Sequence, residues 1–513
     1  IRNKPKRRNR RILLAAAVII VILAGLKYTF DLRQERSQAI AARDQAEELV
    51  EFMIGLFEVS DPGETRGRTI TAREILSRGA DNVAAELGDQ PLTQAKLMET
   101  IGVVSTKLGL YDEARPLLER SLELRRTAAG AESLEVSDSL QNLAVLDDRQ
   151  GLYQEGEELA QRSLGIRQAE LDPDSPEIAA SYQALGLLLE RQAKHDEAET
   201  AFNRAIAIRE RALGADHPAV AESLRELGIV YQNQGRYEEA ESCYTRALAI
   251  REQALGGDHP DVGASLTSLA SVQYLQGRFD EAEDLYRRAL EIREKTLGPD
   301  HPDVALALIN IGLIQQIGGH LDEAEAAYRR ALAIQEKSLG PDHPEVADSL
   351  ERIALICVYQ GRPEEAERLY RRAVEVLETG GFTDSPQIVV ALVQLASHLD
   401  DTGRYAEAGD LIRRAYDIGE RTLDADDPTF AEACFGLAHV NYRHLDRLEE
   451  AGPLYARAIA TWEKTMVADD PILVMALTDY AELLRRLNRE DDARVIEARI
   501  PPEARSSASS SAH

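Results

Sequence analysis

The sequence predicts an all-α protein in which about ten helical hairpins stack in series over residues 91–499. Prolines recur at 176, 218, 260, 302, 344, 386 and 428, 42 residues apart each time, and again at 471 after 43. A small residue recurs in step: Ala114, Gly156, Ala198, Ala240, Ala282, Ala324, Ala366, Ala408, Ala451 and Ala493. Composition agrees. Hydrophobic residues make up 44% of the chain, enough for a core, aromatic residues only 5%, and the supply of Ala, Leu, Glu and Arg favours helix.

One unit shows the physics. After Pro218, the residues Val220, Leu224, Leu227 and Tyr231 fall on one helical face, and Gly235-Arg236 turns the chain. A second helix then places Ala240, Tyr244, Ala247 and Leu248 inward, and the small Gly228 and Ala240 let the two helices approach closely. Leu255-Gly256-Gly257 ends the second helix, with glycine available for a left-handed cap. Proline in a first helical turn makes the preceding residue the N-cap. Those residues are Ser175, His217, His259, His301, His343, Ser385, Asp427 and Asp470, so the four histidines are read as caps. Each hairpin buries only part of its apolar face, and stacking completes the core, with the first helices forming a concave inner wall.

Leu227-Gly228-x-x-Tyr231, Gly235, Ala240, Tyr244 and Ala247 resemble the tetratricopeptide signature. The longer unit, with its connector Leu297-Gly298-Pro299-Asp300-His301-Pro302, resembles the 42-residue version found in kinesin light chains and many bacterial proteins. The resemblance covers about four-fifths of the chain, implies a right-handed superhelical array that binds proteins or peptides, and says little about which.

Ahead of the array, seven basic residues in 1–11 run into fifteen apolar ones, Ile12 to Leu26. Extended to Phe30, the apolar run is about 28 Å long at 1.5 Å per residue, close to a hydrocarbon core of roughly 30 Å. Residues 12–30 are therefore expected to be a single transmembrane helix behind a basic juxtamembrane segment. The basic cluster places the N-terminal side in the cytoplasm and the repeats outside it. A cleaved signal peptide is the rival, but Ala24-Gly25-Leu26-Lys27-Tyr28 makes a poor cleavage site. Residues 31–68 are expected to form a helical linker and turn. Within it Ala46, Val50, Met53 and Phe57 give a short seam that suits homodimerisation through 34–58 or packing on the first repeat. A capping helix over 69–90 follows, and 500–513 is expected to be a disordered tail.

Phe52-Met53-Ile54-Gly55-Leu56-Phe57-Glu58-Val59-Ser60-Asp61-Pro62 and Thr71-Ala72-Arg73-Glu74-Ile75-Leu76 resemble the segment joining span to repeats in bacterial receptor-type serine/threonine protein kinases. That resemblance implies a kinase domain upstream, an order that fits a chain opening at Ile1 with its first methionine at Met53. These residues would then be the sensor and docking half. A stand-alone adaptor and a small-molecule-sensing repeat domain are the alternatives.

The formal charge is −29 although residues 1–11 carry seven basic residues and no acidic one, so the repeats are strongly acidic and unsuited to nucleic acid. Cys243, Cys357 and Cys434 lie in separate repeats and form neither a disulfide framework nor a metal-ligand spacing. No Gly-rich phosphate loop, His-Arg-Asp with its downstream asparagine, or Asp-Phe-Gly occurs, so no catalytic residue, cofactor or metal is expected. The capping histidines stand one hairpin layer apart, about 8–10 Å, too far to share an ion.

Two ladders and one strip remain. Arg120, Arg162, Arg204, Arg246, Arg288, Arg330, Arg372, Arg414 and Arg457 hold one slot of the second helix, read as salt bridges between repeats. Leu275, Leu313, Ile317, Leu355 and Tyr359 fall at inward-facing positions of three successive first helices, with Asn233 and Asn310 on equivalent faces, and form the candidate peptide groove. Of the asparagine slots that clamp peptides in related arrays, only Asn142 and Asn310 match here, whereas Ala184, Glu226, Ser268 and Arg352 depart.

Overall fold

The computed structural model describes residues 72–501, and every described element is a helix or a turn. The chain divides into two compact units, meeting in sequence at Arg236 and Tyr237. In the N-terminal unit, α1 (Ala72–Glu86) is followed by α2 (Pro91–Lys107), α3 (Tyr111–Ala129), α4 (Leu134–Gln150), α5 (Tyr153–Glu170), α6 (Pro176–Arg191), α7 (His195–Leu213) and α8 (Pro218–Asn233). The C-terminal unit opens with α9 (Tyr237–Leu255), α10 (Pro260–Leu275), α11 (Phe279–Leu297), α12 (Pro302–Ile317), α13 (Leu321–Ser338), α14 (Pro344–Tyr359) and α15 (Pro363–Thr379). It continues with α16 (Pro386–Asp401), α17 (Tyr405–Thr422), α18 (Pro428–Arg443), α19 (Leu448–Thr465), α20 (Pro471–Arg486) and α21 (Glu490–Arg499).

Proline sets the start of most first helices, and the side chain before it caps most of them, although Gln90 and Ser175 make no capping hydrogen bond. Nδ1 of His217, His259, His301 and His343 accepts the backbone N–H two residues on, at 3.2–3.3 Å. The hairpin turns place one residue in the left-handed region, Gly235 at φ 73° for example, and Ala193, Asp446 and Asn488 hold that slot without the freedom of glycine. α1 lays Val83 against Leu97, Met98 and Ile101 of α2, covering the first hairpin. Within each unit, neighbouring first helices touch one another: α2 with α4, α4 with α6 and α6 with α8, then α14 with α16, α16 with α18 and α18 with α20. The first-helix side is therefore the inner side of each stack.

The close approach inside a hairpin depends on a missing side chain. A Cβ on Gly312 would lie 2.7 Å from Cε1 of Tyr328, a fully buried ring whose hydroxyl donates to Gln316 at 3.1 Å. Gly312→Ala should gain about 1 kcal/mol of helix propensity and lose about 1–3 kcal/mol to overpacking. The expected result is a net destabilisation, seen as faster hydrogen exchange in α12 and α13. Exchange slower than in the parent protein would refute it.

Consecutive hairpins are stitched by a second arginine series, five residues beyond the one read from the sequence. Arg125, Arg167, Arg209 and Arg251 each reach from a second helix to the start of the next first helix. There Nη1 donates to a backbone carbonyl ten residues on and to a serine hydroxyl fourteen residues on. For Arg209 these bonds are 2.6 Å to Ala219 and 2.8 Å to Ser223. The series then decays. Arg293 meets Ala307 where a serine stood, and its Nη1 is buried without a hydrogen-bond partner. Gln335 accepts from Ser349 at 2.6 Å and donates to the Glu345 carboxylate, not its carbonyl, at 3.3 Å, and Leu377 ends the series.

The expected transmembrane helix ahead of the repeats is corrected. No helix among the described residues is long and apolar enough to cross a membrane, because the apolar first helices run to only 16 or 17 residues and the longer second helices carry charged outer faces. The single-pass localisation, with its cytoplasmic N-terminal side and extracytoplasmic repeats, falls with it. Residues 12–30, the linker 31–68 with its dimerising seam, and the tail beyond 501 lie outside the described residues.

Candidate binding surface on the first helices

Amphipathic helices normally hide their large apolar residues, and among the departures from this in the C-terminal unit three fall in register on successive first helices. Leu275, Ile317 and Tyr359 are the last residues of α10, α12 and α14, 42 apart, and are 42%, 45% and 59% exposed. Leu313 and Leu355, one turn earlier, are half-buried beneath them. Ala270 and Tyr274 of α10 share an apolar cluster with Ile311 and Ile314 of α12, joined through Ala282 and Tyr286 of α11.

The strip is longer than the sequence reading placed it. Leu306 is 53% exposed and stands eleven residues before Ile317, with Asn310 and Leu313 between them at steps of four, three and four. That spacing is one stripe of a helix, and it is the signal by which Leu306 was findable. Asn310 is half-buried on the same stripe.

Asn233 is placed differently. It ends α8 in the N-terminal unit, where its amide donates to Glu190 at 2.9 Å. Asn142 likewise is engaged, donating to Glu99 at 2.9 Å. Near it a pocket of about 240 Å³ opens on the inner side, lined by Val103, Thr106, Tyr111, Val145 and Arg149.

Four members of the exposed arginine series pair across repeats with a glutamate 36 residues earlier, whereas Arg120 pairs with Glu123 on its own helix and Arg162 approaches Glu132 at 3.8 Å. Arg288 meets Glu252 at 2.5 Å and Arg414 meets Glu378 at 2.6 Å, and Arg330 and Arg372 pair with Glu294 and Glu336. All four pairs are at least a third exposed on average, so each contributes at most about 1 kcal/mol. Arg204 and Arg246 occupy the same slot in α7 and α9.

Beneath the strip lies one ionisable group at odds with its surroundings. Glu351, one turn before Leu355 in α14, is 8% exposed. Burial, aided by the charge of Asp348 and opposed by Arg352, pushes its carboxyl up to about 8. In the first repeat the matching position is Glu99, which Arg125 neutralises. Leu377 stands where that arginine would be for Glu351.

Cys357 and Cys434 are buried free thiols, and burial pushes Cys434 up to about 12. Two sets of ligand-type side chains converge among the described residues: Asp400 with His439 and His444, and Glu325 with Cys357 and Glu365. None of the four capping histidines belongs to either.

Residues 93–379 match, in overlapping windows (93–155, 148–211, 186–253, 219–295, 269–337 and 319–379), a family model described as Tetratricopeptide repeat, and a second model of that description matches 352–421. Among solved structures, a Podosopora anserina protein described as a kinesin light chain with nearly identical TPR-like repeats is 28% identical, over 40% of this chain and 98% of its own, with a TM-score of 0.37. BtubC (BKLC) from P. vanneervenii is 23% identical over 46% of this chain and 91% of its own, with a TM-score of 0.38. The apo form of the quorum sensor NprR from B. thuringiensis is 15% identical over 73% of this chain and 99% of its own, with a TM-score of 0.48. None of the curated proteins matches the chain.

Proposed function

Because the chain belongs to the tetratricopeptide repeat family, with repeats of the kinesin-light-chain-like type, we propose that its work is binding rather than catalysis and that the inner side of the C-terminal unit captures a peptide through apolar anchors. The observation that carries this is the exposure of Leu275, Ile317 and Tyr359 at one repeat position in three successive hairpins. Single exposed apolar residues are ordinary, whereas a line of them in register is a docking feature. Helix layers stand about 8–10 Å apart, and an extended chain rises about 3.3 Å per residue. The matching ligand presents an apolar side chain about every third residue, in an overall basic context that suits the acidic repeats.

Leu313→Asp and Tyr359→Asp, alone and together, test the surface. Pull-downs with the full chain should lose their partner while the circular-dichroism helicity stays at the parent level. Unchanged capture by the double variant would sink the groove assignment.

The resemblance of residues 52–62 and 71–76 to receptor-type kinases supports a finer reading, in which this scaffold is the docking region of a serine/threonine protein kinase. The coding sequence upstream of Ile1 decides between that and a stand-alone adaptor. A frame encoding a Gly-rich loop and His-Arg-Asp is expected, and a start codon immediately before Ile1 would end the kinase reading.

A further inference from the structure

We propose that Asp400, His439 and His444 form a binding site for a divalent transition-metal ion of the zinc class, oriented by Asp479 behind His439. The site is built from three successive first helices of the C-terminal unit and one cap: α16 carries Asp400, α18 carries His439 and has His444 as its C-cap, and α20 carries Asp479. One ligand atom from each of Asp400, His439 and His444 lies within 4.8 Å of the other two. Oδ1 of Asp400 is 3.1 Å from Nε2 of His444, and Oδ2 is 3.8 Å from Nε2 of His439. Ligand atoms held about 2.0–2.1 Å from a tetrahedral zinc stand about 3.3 Å apart, so small ring rotations close the set on one ion.

Three independent features point to a ligand here. The first is an orphaned acceptor: Asp400 Oδ1 is buried and makes no hydrogen bond among the described residues, although a histidine nitrogen lies 3.1 Å away. A cation between the two atoms satisfies both. The second is the support behind the rings. His439 Nδ1 lies 3.1 Å from the buried Asp479 carboxylate, the arrangement that fixes the proton on Nδ1 and aims the Nε2 lone pair outward toward Asp400. Asp479 is itself held by Arg443 and by the Tyr455 hydroxyl at 3.2 Å. His444 stacks flat on Tyr405, with ring centroids 3.7 Å apart and planes within 9°.

The third feature is a break in the repeat. This unit alone has 43 residues between its proline and the next. The extra residue falls in the turn after α18, where Arg447 N–H reaches back six residues to Asn441, against five from Arg404 to Leu399 in the preceding hairpin. The enlarged turn, with Asp446 in the left-handed region, carries His444.

Two imidazoles and one carboxylate suit borderline ions such as zinc, and hard ions such as magnesium prefer oxygen alone. Three protein ligands leave a fourth position for water or for a partner's side chain. The other converging set is less suited: Arg329 and Arg362 already occupy Glu325 and Glu365, and Cys357 is a buried thiol.

The test uses the full chain, stripped with EDTA and titrated with zinc chloride, and separately with cobalt chloride followed by visible absorption. Expected are one zinc per chain, cobalt bands typical of nitrogen and oxygen ligands, and no uptake of magnesium. His444→Ala lies in a turn and should fold while losing at least about tenfold in affinity. Asp479→Asn should lose about 10–100-fold, as outer-shell partners do, and Cys357→Ser should bind as the parent does. Absence of zinc uptake by the parent chain, or undiminished uptake by the His439→Ala/His444→Ala double variant, overturns the site. If the double variant does not fold, the His444→Ala titration and the parent cobalt spectrum decide.

Discussion

Arg125→Ala is expected to cost the N-terminal unit about 3–5 kcal/mol, the range for removing one partner of a buried ion pair. Arg125 grips Glu99 with both guanidinium nitrogens, at 2.6 and 2.8 Å, and both side chains are 5% exposed. Truncation leaves a carboxylate in the interior with only Lys96 and Asn142 as partners. Burial alone would raise the Glu99 carboxyl, but the hydrogen bonds and charge of Arg125, with help from Lys96, outweigh it and hold the group below the usual range. Its contribution is therefore present above the unfolded carboxylate range and lost as pH falls through the lower folded value. In Arg125→Ala burial wins, so the defect should shrink on acidification.

Unfolding of a repeat stack need not be all-or-none, so hydrogen exchange over α2–α4 is the suitable readout. Arg120→Ala, on the same helix, is the control, because its exposed pair with Glu123 contributes at most about 1 kcal/mol. Equal effects from the two substitutions would show that the buried series does not join the hairpins.

Glu351→Gln should have the opposite sign. A carboxyl pushed up to about 8 in the folded protein ionises near 4.3 when unfolded. Between these values the folded state holds the extra proton, so stability is greatest at low pH and falls as pH rises, by up to about 1.4 kcal/mol per pH unit. Glutamine removes that dependence. At pH 8 the variant should be the more stable by about 4–5 kcal/mol, and near pH 5 the difference should shrink to about 1 kcal/mol. Parallel pH–stability profiles for parent and variant would show that Glu351 is solvated after all.

Much of the fold was legible because the signals are local and repeated. Proline at a first turn, a capping side chain before it and a small residue at each crossing act within a few residues of one another. The period of 42 then multiplies them. The strip of Leu275, Ile317 and Tyr359 was legible for the same reason, and Leu306 was passed over although it lies on the same stripe. The buried arginine series carried a signal too, since Arg125, Arg167, Arg209 and Arg251 run in step with Ser139, Ser181, Ser223 and Ser265. Spacing alone does not say which of two arginine series, five residues apart, turns inward. The transmembrane expectation rested on apolar content and length, and no described helix has both.

By itself the sequence determined that this chain is a stack of helical hairpins, because capping, amphipathicity and close helix crossing are properties of neighbouring residues. Only the tertiary structure decided which polar groups are buried and what they meet. The partner of Glu99 comes from the next helix, the missing partner of Glu351 is a leucine 26 residues on, and Asp400 finds His439 and His444 only when one hairpin is laid on the next. Burial and ligand geometry depend on contacts between hairpins, and a periodic pattern predicts that such contacts exist without specifying the atoms that make them.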